Sequence, residues 1–345
     1  MSIETQTTPH PKGELQLFTM TNAGGASVSV SNIGAGIVSV VVPDRAGKPL
    51  DVALGYKSQA DYFADAPYIG KTAGRFANRI AKGCFTLNGS AYKLAVNNGA
   101  NHLHGGLTGF SDRLWNGRID GNNVVFSLVS ADGDEGYPGT LHVEVAYTWS
   151  DANELSIAFR AESDDDTVIN LTNHAYFNLA GENSGQALDH VLQLHASHWL
   201  PTDDTLIPTG EIAPVEGTPM DFTSPKPLRK DFDADFDALK FGKGYDNCWV
   251  VDGWKPGTIQ EVAVLHSAAS GITLRVLTTQ RAVQVYTGNW LGGSPESKSG
   301  RSYRDYDGVA LECQGFPDAP NKPAFPSPIL RKGDTYRHTI VFRFS

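Results

Sequence analysis

Five short segments carry more chemistry than their surroundings require. In Gly74-Arg75-Phe76-Ala77-Asn78-Arg79-Ile80 an arginine among small residues can present its planar fork to nearby oxygens. Those oxygens are ligand hydroxyls or loop carbonyls, and taken alone the segment fits the second better. In Asn101-His102-Leu103-His104-Gly105-Gly106 an extended backbone puts His102 and His104 on one strand face. Such a pair suits a metal, but a zinc site needs further ligands and groups that orient them. The glycines there point to close backbone approach. In Asn170-Leu171-Thr172-Asn173-His174-Ala175-Tyr176-Phe177-Asn178 a histidine stands among polar and aromatic residues. Its ordinary pKa of about 6.5 suits proton transfer near neutrality, and a hydrogen-bonded core histidine is the equal alternative. Asp246, after the bend at Gly244-Tyr245, either accepts bonds from two hydroxyls or caps its own turn. Glu312 ends the apolar run Val309-Ala310-Leu311. Burying a carboxylate there without compensation is costly, so it is paired structurally or kept for proton transfer.

The elements that must position these residues read as strands. Leu141, Val143, Val145, Tyr147 and Trp149 alternate with His142, Glu144, Ala146 and Thr148, and Leu155, Ile157 and Phe159 continue the period after a turn at 151–153. Val38/Val40/Val42, Ile272/Leu274/Val276 and Ile340/Phe342/Phe344 repeat it. A period of two marks half-buried strands of antiparallel sheets. Asn88-Gly89 between Phe85-Thr86-Leu87 and Ala91-Tyr92-Lys93-Leu94 is a hairpin signal. Short helices are expected only at 58–63, with Ser58 as N-cap, and at 233–239. The reading is all-β: a large antiparallel β-sandwich forming one domain over 13–345, preceded by a flexible leader at 1–12.

Composition narrows the function. The chain has 345 residues, 40% hydrophobic and 19% charged, enough for a large core. A formal net charge of −10 argues against binding a phosphate backbone, so no nucleic-acid partner is expected. No run of about 18 apolar residues is present, so no membrane helix is expected. The first residues lack the basic and apolar regions of a secretory signal. Cys84, Cys248 and Cys313 are too few and too dispersed for a disulfide framework or a cysteine-rich zinc site, and fit a reducing cytoplasm.

Taken together, GRFANRI, HLHGG, DGDEGYPG, TNHAYFNLAG, GYDN, YTGN and LECQGFPDAPN resemble, in that order, the aldose 1-epimerase (galactose mutarotase) family. The resemblance runs from about residue 13 to the C-terminus. It implies the galactose mutarotase-like supersandwich, with a sugar pocket on one sheet face, and interconversion of the α and β anomers of free aldoses such as galactose and glucose. It implies Glu312 as general base, His174 as general acid and His104 as a second pocket histidine that holds or protonates the sugar. It also implies Arg75, Asp246, Asn78 and Gln284 as sugar contacts. No cofactor or metal is implied, because no electron, hydride or phosphate moves. A monomer or weak homodimer is expected. Two departures bear on sugar preference: Arg281 stands where the family commonly has Pro, and Val285 where it commonly has Phe, a possible stacking surface. Cys313 replaces a more usual Thr.

Other readings make different demands. A hexose-6-phosphate 1-epimerase needs extra cations at the pocket, for which Lys71 and Arg79 are nearest in sequence. A silent sugar-binding protein is expected to lack Glu312 or His174. A metal hydrolase would use His102, His104 and His174. A glycosidase would pair Asp246 with Glu312 and leave the histidines surplus.

Overall fold

A computed structural model describes residues 2–345. Among them the alternating segments form the expected antiparallel sheets. One nine-stranded sheet runs in the spatial order Asn116–Asp120, Asn123–Ser130, Leu141–Trp149, Glu154–Ser163, Thr335–Phe344, Thr273–Thr278, Gln260–His266, Val191–Leu194 and Lys226–Pro227. A six-stranded sheet runs Tyr176–Phe177, Val309–Gln314, Ala282–Tyr286, Asp246–Val250, His198–Leu200 and Ala213–Pro214. The core between them takes Val143, Val145, Ile157 and Phe342 from the first, and Trp249, Val283, Val285, Leu311 and Cys313 from the second.

The inward positions of the six-stranded sheet determine what its other face carries. Gln284 pairs with Glu312 on one side and with Cys248 on the other, while Asp246 pairs with Tyr286. Because side chains alternate across a strand, burying Val283, Val285 and Leu311 turns Gln284, Tyr286 and Glu312 to the opposite face together. Val285 is therefore a core residue, fully buried. Its departure from the family pattern removes no ring from that opposite face.

Three local expectations are corrected. The leader expected at 1–12 is instead built into a sheet: Ser2–His10 pairs along its whole length with Gly13–Thr21. Its threonine-rich composition looks unstructured, but threonine and isoleucine also suit an exposed paired strand. The second short helix forms at Asp237–Gly242 rather than at 233–239. His102 and His104 do not share a face, because the extended run ends at Leu103 and His104 turns left-handed, with φ 49°. The other short-range signals hold. Ser58 accepts from the Ala60 amide at the start of a 3₁₀ turn over Gln59–Ala64. Cys84–Leu87 and Ser90–Lys93 form the hairpin, with positive φ at both Asn88 and Gly89 as a two-residue turn of this type requires.

Candidate functional site

The face carrying Glu312 forms the floor of a cleft of about 190 Å³. That is smaller than the roughly 300–1,000 Å³ of a drug-sized ligand site. The loops above it come from residues far away in sequence, and polar side chains hold them there. Thr172 Oγ1 donates to the Cys313 carbonyl at 2.8 Å, beside Glu312. Asn170 accepts from the Gly315 amide and donates to the Ala77 carbonyl. Asn173 donates to the Gly70 carbonyl. The His174 backbone donates to the Lys71 carbonyl and accepts from the Gly70 amide. The asparagines and threonine of that segment thus clamp His174 over the Glu312 strand.

The result is His174 Nε2 at 3.5 Å from Glu312 Oε1, with both side chains almost wholly buried. His174 Nδ1 and Glu312 Oε2 are enclosed with no hydrogen-bond partner. Burial pushes the Glu312 carboxyl well above the usual range; the Asp246 charge adds to the rise and Arg79 opposes it. Burial pushes His174 down to about 4. An ordinary ionised carboxylate beside a partly protonated imidazole is not what this environment favours. Before a ligand enters, both shifts act in the same sense, toward the uncharged carboxyl and the uncharged imidazole.

His104 faces the same cleft, its ring centroid 5.2 Å from that of His174. Its Nδ1 accepts from the Asn78 amide at 3.1 Å, which leaves the proton on Nε2. Burial, with His174 and Arg79 nearby, holds its pKa well below the ordinary value, so it stays a neutral donor. The loop after it lies tight against the Arg75 segment. Gly105 has φ 89°, and a Cβ there would stand 1.7 Å from the Gly74 carbonyl oxygen, so the glycine is required by contact.

Asp246 lines the cleft near Glu312. Its Oδ1 accepts from Gln284 Nε2 at 2.6 Å, and its Oδ2 lies 3.6 Å from Arg79 Nη1. Gln284 is thus behind Asp246 rather than on the cleft wall, and orients it. Asn78 lines the cleft, and its Oδ1 accepts from the Arg79 amide.

Arg75 is elsewhere. Its guanidinium donates to the carbonyls of Pro138 and Gly139 at 2.7 and 2.8 Å and to Ser130 Oγ at 2.7 Å. It pins the loop at 130–139 and does not line the cleft. The arginine in the cleft is Arg79 of the same segment, expected only as a phosphate cation and not as a contact for sugar hydroxyls. At Arg79–Ile80 the chain enters a bridge with His102–Leu103, and that pairing turns Arg79 toward Asp246. Arg75→Met is therefore expected to cost about 3 kcal/mol of stability, because several buried carbonyls lose their donor. Denaturant unfolding and sugar KM check this; a raised KM at unchanged stability would return Arg75 to the cleft.

Aromatic rings complete the walls and were not legible as site residues in the sequence. Tyr68 lies 4.8 Å from the His104 ring, and Tyr176 lies 5.0 Å from His174. Trp290, half exposed at the mouth, stacks on Tyr286 at 6.5 Å with an interplanar angle of 20°. Only its place directly after the YTGN motif could have signalled it.

The alternative readings meet specific obstacles. Lys71 is buried with its Nζ 3.1 Å from Asp65 and 3.6 Å from Asp112, and Arg79 faces Asp246. Each nearby cation thus already faces an acid. His102 is occupied by the Ala95 carbonyl and the Tyr137 hydroxyl at 2.7 and 2.6 Å, outside any cluster with His174. His104, His174 and Glu312 offer ligand atoms within 4.8 Å of one another. A tetrahedral zinc needs them roughly 3.4 Å apart, and ligand histidines are normally oriented through their second nitrogen. His174 Nδ1 has no such partner.

The chain is also similar to known proteins over nearly its whole length. Residues 16–343 match the family model described as aldose 1-epimerase. The chain is 46% identical over 318 residues to galactose mutarotase of Bos taurus, covering 92% of this chain and 91% of that one. It is 39% identical over 340 residues to aldose 1-epimerase of Escherichia coli K12, covering 97% and 96%. The crystal structure of an aldose epimerase homologue from C. elegans is similar at a TM-score of 0.86 and 32% identity, covering 99% of both chains.

Proposed function

Because the chain belongs to the aldose 1-epimerase family and interconverts the α and β anomers of an aldose, we propose that Glu312 and His174 carry its two proton transfers. The observation behind this assignment is the pair itself: an acid and an imidazole 3.5 Å apart, each with an unpartnered buried atom, at one cleft. Opening a hemiacetal takes a proton from the anomeric hydroxyl and gives one to the ring oxygen. Glu312 takes the first as the carboxylate, and His174 gives the second as the imidazolium. Sugar hydroxyls entering the cleft hydrogen-bond to the carboxylate, favour its charged form and so draw the proton across to His174. Rotation about C1–C2 then exposes the other carbonyl face, and closure returns both protons.

Holding the sugar falls to Arg79, Asp246, Asn78 and His104. Arg79 and Asp246 offer a donor fork and an acceptor to adjacent hydroxyls, and His104 donates from Nε2. Gln284 keeps Asp246 in place. Galactose, as in the bovine relative's name, and glucose, as the family resemblance implies, are the proposed substrates. One domain, a monomer or weak homodimer, and a cytoplasmic location complete the proposal. The three unpaired cysteines support a reducing compartment.

Polarimetry on freshly dissolved α-D-galactose and α-D-glucose tests the reading, with a chelator as control. Accelerated decay of rotation that ignores the chelator supports it. Decay no faster than buffer would overturn it, and loss of activity with the chelator would favour a metal at His104, His174 and Glu312.

The pH profile is a further test. Catalysis needs one proton on the pair. As pH falls through about 4, His174 takes a second proton while Glu312 still holds its own, and no base remains. As pH rises, the last proton leaves only at the raised Glu312 value. Activity is therefore expected to stay level through 6.5, the ordinary imidazole value. Measuring kcat/KM from pH 4 to 9, corrected for buffer catalysis, decides it; a fall centred on 6.5 would show unshifted groups.

A further inference from the structure

A second cavity, of about 530 Å³, lies apart from the sugar cleft and shares no lining residue with it. Its walls combine Trp254, Phe316, Ile329 and Tyr336 with the side chain of Arg281. The Arg281 guanidinium lies over the Trp254 ring at 4.1 Å from its centroid. That indole is itself fixed, since Nε1 donates to the Thr279 carbonyl at 2.9 Å. The Arg281 backbone is fixed too, its carbonyl accepting from the Val251 amide at 3.0 Å. The guanidinium is thus pre-positioned. Among the described residues it makes no ion pair, whereas Arg75 and Arg79 are both engaged. Charged groups on the lining are Arg281, Arg337 and Asp334, and His338 beside them is pushed down to about 4 by burial and by Arg281, so it is neutral near pH 7. Arg337 is exposed and alternates with Tyr336 and His338 along its strand, so Arg281 is the cation whose fork the cavity presents.

We propose that this cavity is a second binding site, for a small organic anion whose acidic group meets the Arg281 fork and whose flat ring lies against Phe316 and Ile329. An arginine stacked on an aromatic face is already oriented for bidentate contact with a carboxylate or phosphate. The apolar wall supplies what a bare inorganic ion would not use. Both acid types share this chemistry, so the probes separate them.

The experiment is calorimetric titration of the full chain with benzoate, adenosine monophosphate and inorganic phosphate. Saturable binding of benzoate or adenosine monophosphate with Kd below about 1 mM is expected, with inorganic phosphate weaker. Arg281→Gln should weaken binding about tenfold or more, and saturating galactose should leave it unchanged. Ser327→Trp, on the exposed rim, blocks the mouth without touching the guanidinium and should also abolish binding. Arg281→Lys should fall between wild type and Arg281→Gln, since it keeps charge but loses the planar fork. Failure of both ringed probes, binding unaffected by Arg281→Gln and Ser327→Trp, or competition by galactose would each overturn the proposal. Mutarotation is measured separately, so its failure leaves this result readable.

Discussion

Glu312→Gln is expected to lower the rate of mutarotation by about 10²–10⁴-fold while leaving the protein as stable as wild type or more so. The amide is nearly isosteric, but it takes no proton from the anomeric hydroxyl. Stability should not suffer, because the carboxyl contributes little to the fold. It is buried with Oε2 unpartnered, and its charged form is disfavoured there by burial and by Asp246. An unmet buried polar group costs about 1–3 kcal/mol. Glu312 thus holds a position that function requires and folding does not. Polarimetric kcat beside a denaturation curve checks both halves. Turnover within a few-fold of wild type would remove Glu312 as the base. Unfolding would instead show that its carboxyl is structural.

His174→Gln should cost about 10²–10³-fold, nearly all of it in kcat. Its ties to the fold run through the backbone, to Lys71 and Gly70, and through its neighbours Asn170, Thr172 and Asn173. None of these is lost when the ring is replaced. The side chain keeps an amide near the ring oxygen of the sugar but no exchangeable imidazole proton. KM should move little, because Arg79, Asp246 and His104 remain. A tenfold rise in KM with kcat preserved would reassign His174 to binding. A double variant with Glu312→Gln should be scarcely slower than the worse single variant, since either loss already breaks the one-proton cycle.

The structure also changes how two features of the chain bear on sugar preference. Val285 belongs to the core, so its lack of a ring does not touch the sugar cleft. Arg281 lines a different cavity altogether. What shapes the mouth is Trp290, a large half-exposed ring backed by Tyr286.

The sequence by itself determined the fold class and most of the local vocabulary. Strict alternation in Leu141–Trp149 and Thr335–Phe344 leaves only one face to bury, and Asn88-Gly89 permits the left-handed pair of φ values its turn needs. It also marked Glu312, because a carboxylate at the end of an apolar run is costly unless paired or used, while the roles of His174, His104 and Asp246 came from the family resemblance of their motifs. What it could not reach was anything set by pairing between distant segments. Glu312 and His174 lie well apart in the chain and meet where Thr172 bonds to the Cys313 carbonyl and Asn170 to the Gly315 amide. Arg75 and Arg79 are four residues apart in the same motif, and only the Arg79–Ile80 bridge decides which one faces Asp246 and which one pins the loop at 130–139. The protonation of the site was equally out of reach. Ordinary pKa values place a carboxylate beside a partly charged histidine, and burial works against both charges. Periodicity and residue type are local, and so they are legible in sequence; register, burial and side-chain direction depend on what arrives from elsewhere in the chain, and the tertiary structure decides them.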